Sequence, residues 1–130
     1  MKDTFLERLQ DLQPSQLYIN SEKLKTVHEE FDPIAVETFP PIPVIKLDGK
    51  ITMTDGHTRA FAAYQVGLEK VKVYWDEDEL DLEMYAACVG WCKDEGITSV
   101  ADLESRVIDS DAYNKLWIER CAKLEHELND

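Results

Sequence analysis

The stretch of sequence that decides the fold is residues 44–75, VIKLDGKITMTDGHTRAFAAYQVGLEKVKVYW. Within it, Asp48-Gly49 separates two short apolar runs, residues 44–47 and 51–54. A type I′ turn needs a positive φ at both central residues, and Asp-Gly is one of the pairs that adopt it. The pattern therefore predicts a β-hairpin with a two-residue turn.

The second half of this stretch predicts a turn, a helix and a further strand. Residues 54–59 form the turn, residues 60–66 are an alanine-rich helix, and Gly67 follows where a helix-ending glycine is expected. Residues 71–75 are the next strand. A strand, turn, helix and strand make a crossover unit, and its strand end and helix start leave backbone N–H groups without partners.

The flanking sequence completes the prediction of an α+β fold, with helices packed on a small mixed sheet. Before the hairpin, a capping box of Thr4 and Glu7 predicts a helix that ends before Pro14, and an extended piece at 16–19 follows. A second helix is predicted to begin at Ser21 and to end at Asp32-Pro33, with apolar residues Leu24, Val27 and Phe31. Residues 39–43 are then predicted to be extended. After residue 79 they are a helix that Gly96 ends, a short helix over 100–108 capped by Thr98 or Ser99, and a last helix after Ser110. We expect a core at residues 1–78 and an acidic helical extension at 79–130 packed on it, with Trp91 and Trp117 buried against each other or the sheet.

Composition limits the partners. The 130 residues carry a formal net charge of −13, so nucleic acid and anionic membranes are not expected to bind, because both select basic surfaces. No run approaches the roughly 18 apolar residues of a spanning helix. The sequence therefore predicts a cytoplasmic protein.

Charge is divided unevenly along the chain. Residues 1–75 have a net charge of −2, whereas residues 76–130 have a net charge of −11. An anionic ligand is therefore expected to bind the first half. The cations concentrated there are Lys46, Lys50, Arg59, Lys70 and Lys72.

The three cysteines are not a disulfide framework, because their number is odd. Cys88 and Cys92 are four residues apart and can share one face of a helix. A metal site would need about four ligands, and no second pair accompanies them. We expect them to be buried core residues rather than a redox or metal pair.

Residues 55–59 are the candidate ligand-binding site. Gly56 lets the backbone approach a ligand, and the amides of the first helical turn favour an anion. Arg59 can bind phosphate with two hydrogen bonds, His57 can donate from either ring nitrogen, and Thr58 adds a hydroxyl group. Asp55 would repel phosphate unless it caps the helix, the preferred role, or contacts a phosphate-bound cation.

The same residues also fit an ordinary structural turn. Asp-Gly before a helix is a common turn with a cap. Arg59 would then be a solvated surface residue, and His57 would satisfy a carbonyl.

The run from Met53 to Tyr64, after Pro41-Ile42-Pro43 and a hairpin, resembles the signature of the ParB N-terminal / sulfiredoxin-like superfamily. Members of that superfamily carry a strand, a glycine-containing turn with His and Arg, and an alanine-rich helix, and they bind nucleotide phosphates at the turn. The resemblance covers roughly residues 14–78. It implies a ParB/sulfiredoxin-like core that binds a nucleotide at residues 55–59.

Two branches of the superfamily differ from this chain at the turn. Sulfiredoxins place a nucleophilic cysteine where this chain has His57, so sulfinic acid reductase activity is not expected. Chromosome-partitioning ParB proteins have a Gly-Glu-Arg-Arg turn, then a Glu-Asn nucleotide motif and a helix-turn-helix. Neither that motif nor a basic DNA reader follows residue 78 here.

The turn is most similar to the Asp-Gly-His-His-Arg form of ParB-like free serine kinases, from which it departs only at Thr58. In those kinases a glutamate near the N-terminus serves as the base for a hydroxyl substrate. Glu29 and Glu30 are the comparable residues here. The match in this helix is too loose to assign the role, and an exposed glutamate pair at a helix end is usually a solvated face.

The leading functional hypothesis is a domain that binds a nucleotide or another phosphate-bearing small molecule. The ligand would be ATP, ADP or CTP, with Mg²⁺ and no metal of the protein's own. The alternatives are a non-enzymatic module whose acidic tail binds a protein partner, and a small-molecule kinase or phosphotransferase. Whether the chain is an enzyme is left open.

Overall fold

The computed structural model describes residues 3–30 and 40–129 and confirms the α+β class. The strands are β1 (Phe5–Arg8), β2 (Ile19–Asn20), β3 (Ile42–Leu47), β4 (Lys50–Met53), β5 (Lys70–Trp75) and β6 (Val107–Ile108). The helices are α1 (Ser21–Glu30), α2 (His57–Gln65), α3 (Leu82–Asp94), α4 (Ser110–Tyr113) and α5 (Glu119–Leu128). Two 3₁₀ helices, Leu9–Asp11 and Val100–Arg106, and a π-helical turn, Asn114–Ile118, complete the described elements.

The main sheet is mixed and has the strand order β1-β5-β3-β4. The predicted hairpin is confirmed: β3 and β4 are antiparallel, and Asp48 and Gly49 have φ values of 51° and 78°. Helix α2 then crosses β3, so that β5 lies parallel to β3 on the side away from β4. Its buried run, residues 60–63, packs in the hydrophobic core, and Gly67 follows the helix with a φ of 88°.

The predicted N-terminal helix is wrong. Residues 5–8 form the edge strand β1, which pairs antiparallel with β5, and only residues 9–11 form a 3₁₀ turn. The reason is tertiary: Phe5 and Glu7 turn inward while Leu6 and Arg8 are exposed, and ladder pairing with β5 outweighs the local capping pattern.

The predicted second helix is α1, but its cap lies one residue earlier than expected. The side-chain Oδ1 of Asn20 accepts from the backbone N–H of Glu22 at 3.0 Å, and Ser21 is already the first helical residue. Leu24 is buried as predicted. Phe31, Asp32-Pro33 and residue 39, which belong to the predicted helix end and extended segment, lie outside the described residues.

The C-terminal extension is not wholly helical, which corrects the prediction. Residues 100–106 form a 3₁₀ helix that Ser99 caps, and residues 107–108 form β6, which pairs parallel with β2. Helix α3 ends before Gly96 as expected.

The extension and the core share one hydrophobic cluster, which includes Leu17, Phe61, Leu103 and Trp117. The Trp91 and Trp117 rings meet edge to face with their centroids 6.0 Å apart. Trp117 is buried and Trp91 is partly buried, so the predicted contact is confirmed. The division of the chain at residue 78 stays a prediction.

Cys88 and Cys92 are both buried in the core, as predicted. Burial raises the pKa of the Cys92 thiol to about 12, so it stays protonated at neutral pH. Within residues 3–30 and 40–129, no helix is both long and apolar enough to span a lipid bilayer.

Candidate functional site

The predicted turn lines a cavity of about 590 Å³ between α1 and the start of α2. All five predicted residues, 55–59, take part in the lining. The remaining lining residues are Gln16, Glu22, Lys23, Thr26, Val27, Glu30 and Tyr113. The cavity is within the range of small-molecule sites, about 300–1,000 Å³.

Gly56 sets the geometry of the turn. It is the N-cap of α2 with a φ of 76°, and its carbonyl accepts the first helical hydrogen bond, from the N–H of Ala60 at 2.9 Å. Among the described residues, no acceptor contacts the backbone N–H groups of His57, Thr58 and Arg59. These three amides are the first turn of a nine-residue helix, where the helix dipole favours an anion.

Asp55 does not cap α2, contrary to the prediction. Its Oδ1 accepts at 2.8 Å from the N–H of Gly56, the neighbouring residue, and the N-cap receives no side-chain hydrogen bond. The carboxylate precedes the N-cap by one position, too far back to reach the amides of the second and third helical residues. Asp55 is exposed at the cavity.

His57 is buried and accepts a backbone hydrogen bond, so the prediction that it can donate from either ring nitrogen is wrong. Its Nε2 accepts from the backbone N–H of Ser15 at 2.9 Å, and the residue is 4% exposed. Burial lowers its pKa to about 4, although Asp55 opposes the shift. The ring is therefore neutral at pH 7, and Nδ1 alone carries a proton.

The guanidinium of Arg59 folds back over Gly56. Its Nη1 lies 3.4 Å from the carbonyl oxygens of Pro40 and Pro41, and a Cβ added to Gly56 would lie 2.9 Å from Nη2. No carboxylate in residues 3–30 or 40–129 forms an ion pair with it. Two long hydrogen bonds to carbonyls leave most of its donors available to a ligand. Thr58 is partly buried beside it and also lines the cavity.

Sequence reasoning missed the wall of the cavity that α1 supplies. Lys23, Thr26, Val27 and Glu30 line it, at spacings of three, four and seven residues that define one helical face. That spacing is visible in the sequence, but nothing local shows which element the face opposes. Of the two glutamates proposed as bases, Glu30 lines the cavity and Glu29 does not.

The predicted basic cluster does not assemble at the cavity. Of its five cations only Arg59 is a lining residue, whereas the four lysines lie on β3, β4 and β5. Lys23 replaces them, with its Nζ 6.0 Å from the centroid of the Tyr113 ring. The cavity thus combines two cations, Lys23 and Arg59, with the carboxylates of Glu22, Glu30 and Asp55.

No protein-family profile and no curated protein matches the sequence. Among solved structures, the chain is similar to the crystal structure of protein Atu1540 from Agrobacterium tumefaciens, with a TM-score of 0.55 and 13% sequence identity. The match covers 80% of this chain and 63% of the length of that protein. This likeness shows a shared fold and nothing about activity.

Proposed function

We propose that residues 55–59 bind the phosphate groups of a nucleotide or of another phosphate-bearing small molecule. The observation that carries the proposal is the convergence of two anion-binding features on one cavity. The amides at the start of α2 have no partner among the described residues, and the Arg59 guanidinium has no carboxylate among them. Both features favour negative charge at one place.

The carboxylates of the cavity suit a ligand that arrives with a cation. Within residues 3–30 and 40–129, no three His, Cys, Asp or Glu side chains lie close enough together to hold a metal ion by themselves. When phosphates fill most of its coordination shell, Mg²⁺ needs only one or two carboxylates, and Asp55 is the carboxylate within the turn. Bound Mg²⁺ would neutralise phosphate charge beside Asp55. A free phosphate would lack that compensation, so we expect magnesium-bound ATP, ADP or CTP to bind more tightly than inorganic phosphate.

A small-molecule phosphotransferase is the second candidate, because Glu30 faces the same cavity as the proposed phosphate site. In that role Glu30 would accept the proton of a hydroxyl substrate while the turn holds the nucleotide. The resemblance to ParB-like free serine kinases points in the same direction. Both candidate functions imply a cytoplasmic protein, because the nucleotide that each one uses is present in the cytoplasm.

The test is a calorimetric titration of the full chain with ATP, ADP, CTP and pyrophosphate, each with and without Mg²⁺. Replacing Arg59 with Ala should weaken binding about 10- to 150-fold, since a hydrogen bond to a charged group contributes roughly 1.5–3 kcal/mol. Lys72→Ala is the matched control, because it removes a cation of β5 outside the cavity.

Three outcomes would contradict the proposal. One is an Arg59→Ala variant that binds as tightly as the parent, and another is equal loss in both variants. The third is the absence of binding by every compound at millimolar concentration, which would favour a module that binds a protein partner. Turnover of ATP with a small alcohol, lost in Glu30→Gln, would instead single out the phosphotransferase.

A further inference from the structure

Two cysteines from different helices meet in a second cavity. Cys88 of α3 and Cys121 of α5 line the same space of about 330 Å³, and each thiol is near enough to shift the pKa of the other. Cys88 is buried, whereas Cys121 is partly exposed. Cys92 is one helical turn from Cys88 but does not line this cavity.

The surroundings make the two thiols chemically unequal. Interaction with the Cys88 thiol lowers the pKa of Cys121 against the opposing effect of its partial burial, and the positive charge of Arg120 acts with Cys88. The same interaction and burial raise the pKa of Cys88. A partly exposed thiol with a lowered pKa beside a buried thiol is the usual arrangement of an attacking and a resolving cysteine.

We propose that Cys88 and Cys121 are a redox modification site that closes reversibly to an intramolecular disulfide. The oxidant is a low-molecular-weight disulfide such as glutathione disulfide. The thiolate of Cys121 attacks one of its sulfur atoms, forms a mixed disulfide and releases one glutathione thiolate. Cys88 then loses its proton and attacks the Cys121 sulfur, which releases the second glutathione. The two protein thiols are oxidised, and the oxidant is reduced to two thiols that take up the two protons.

The site is distinct from the proposed phosphate site, although the two are neighbours. Gln16 and His57 line both cavities. Tyr85, one turn before Cys88 on α3, donates from its hydroxyl to the carbonyl of Thr54 at 3.2 Å. Disulfide formation does not require a ligand at residues 55–59, and the experiment that tests it uses no nucleotide.

The test is oxidation of the native full chain by glutathione disulfide, followed by alkylation of remaining thiols and peptide mass mapping. We expect a single Cys88–Cys121 disulfide, with Cys92 alkylated only after denaturation. In the reduced protein, Cys121 should alkylate faster than Cys88, because its thiol is partly exposed and the Cys88 thiol is buried.

Three variants identify the role of each thiol, with circular dichroism as the check on folding. Cys92→Ala should still form the disulfide. Cys88→Ser should stop at one glutathione bound to Cys121, and Cys121→Ser should take up no glutathione while folded. A disulfide between Cys88 and Cys92, linkage only between molecules, or reaction only after unfolding would overturn the proposal.

Discussion

Gly56→Ala is the substitution that best separates ligand binding from stability at the proposed phosphate site. Gly56 has a φ of 76°, and a new Cβ would lie 2.9 Å from Nη2 of Arg59 and 3.5 Å from its Cζ. A left-handed backbone costs a residue with a Cβ about 1–2 kcal/mol, and the less flexible unfolded chain returns about 0.4–1 kcal/mol. We expect the free energy of unfolding to fall by about 1 kcal/mol.

The expected effect on binding is larger than the effect on stability. Because the added Cβ would lie closer than a carbon and nitrogen normally approach, the flexible end of the Arg59 side chain must shift away from the turn. The variant should then lose part of the contribution of Arg59 as well as the close approach of the backbone. We expect binding of magnesium-bound nucleotide to weaken at least about tenfold, the lower end of what a hydrogen bond to a charged group supplies.

The matched control is Gly67→Ala, at the other end of α2. Gly67 has a φ of 88°, but no atom lies within 4 Å of its added Cβ. It should therefore lose similar stability without loss of affinity. Urea unfolding measures the first quantity and isothermal calorimetry the second. Equal affinities for Gly56→Ala and the parent, or equal weakening by both substitutions, would refute the reasoning.

Three further predictions concern stability and are measured by urea unfolding. Trp117→Ala should cost about 3–5 kcal/mol because the ring is buried, whereas Leu116→Ala, with 47% exposure, should change stability by less than about 0.5 kcal/mol. A protonated His57 is favoured in the unfolded chain below its usual pKa of 6.5 but in the folded chain only below about 4. The free energy of unfolding should thus fall by up to about 3 kcal/mol as pH drops through that window, and His57→Gln should lose this part of the pH dependence. Closing a loop of about 33 residues between Cys88 and Cys121 should make the oxidised protein about 4 kcal/mol more stable than the reduced one, and equal midpoints would contradict the native geometry of that disulfide.

The sequence predicts the elements whose stability is local. The Asp48-Gly49 turn and the Gly67 helix end both follow from a backbone conformation that few residues adopt, and both are found. The segment 5–8 shows the opposite case. Its capping pattern is local, but its strand state comes from pairing with residues 70–73, some 65 positions away. No local pattern contains that partner.

The candidate site likewise has features that follow from local sequence and features that depend on tertiary contacts. The turn at residues 55–59 is visible in the sequence because the glycine, the helix start and the arginine are adjacent. The roles of the individual residues in the turn are not visible in the sequence. Nε2 of His57 cannot donate to a ligand because it accepts a hydrogen bond from the N–H of Ser15, which is 42 residues away in the chain. Burial against that segment also removes the positive charge of the ring at neutral pH.

The partner of Cys88 also depends on tertiary packing. In the sequence Cys88 appears paired with Cys92, because four residues bring two side chains to one helix face. In the structure both cysteines are buried in the core, but Cys88 also lines a cavity that Cys121 of α5 lines from the other side, and Cys92 does not. Only the packing of two helices decides which thiol Cys88 meets. A redox site of this kind cannot be inferred from cysteine spacing, so the mapped disulfide tests the packing of α3 against α5 as directly as it tests the chemistry.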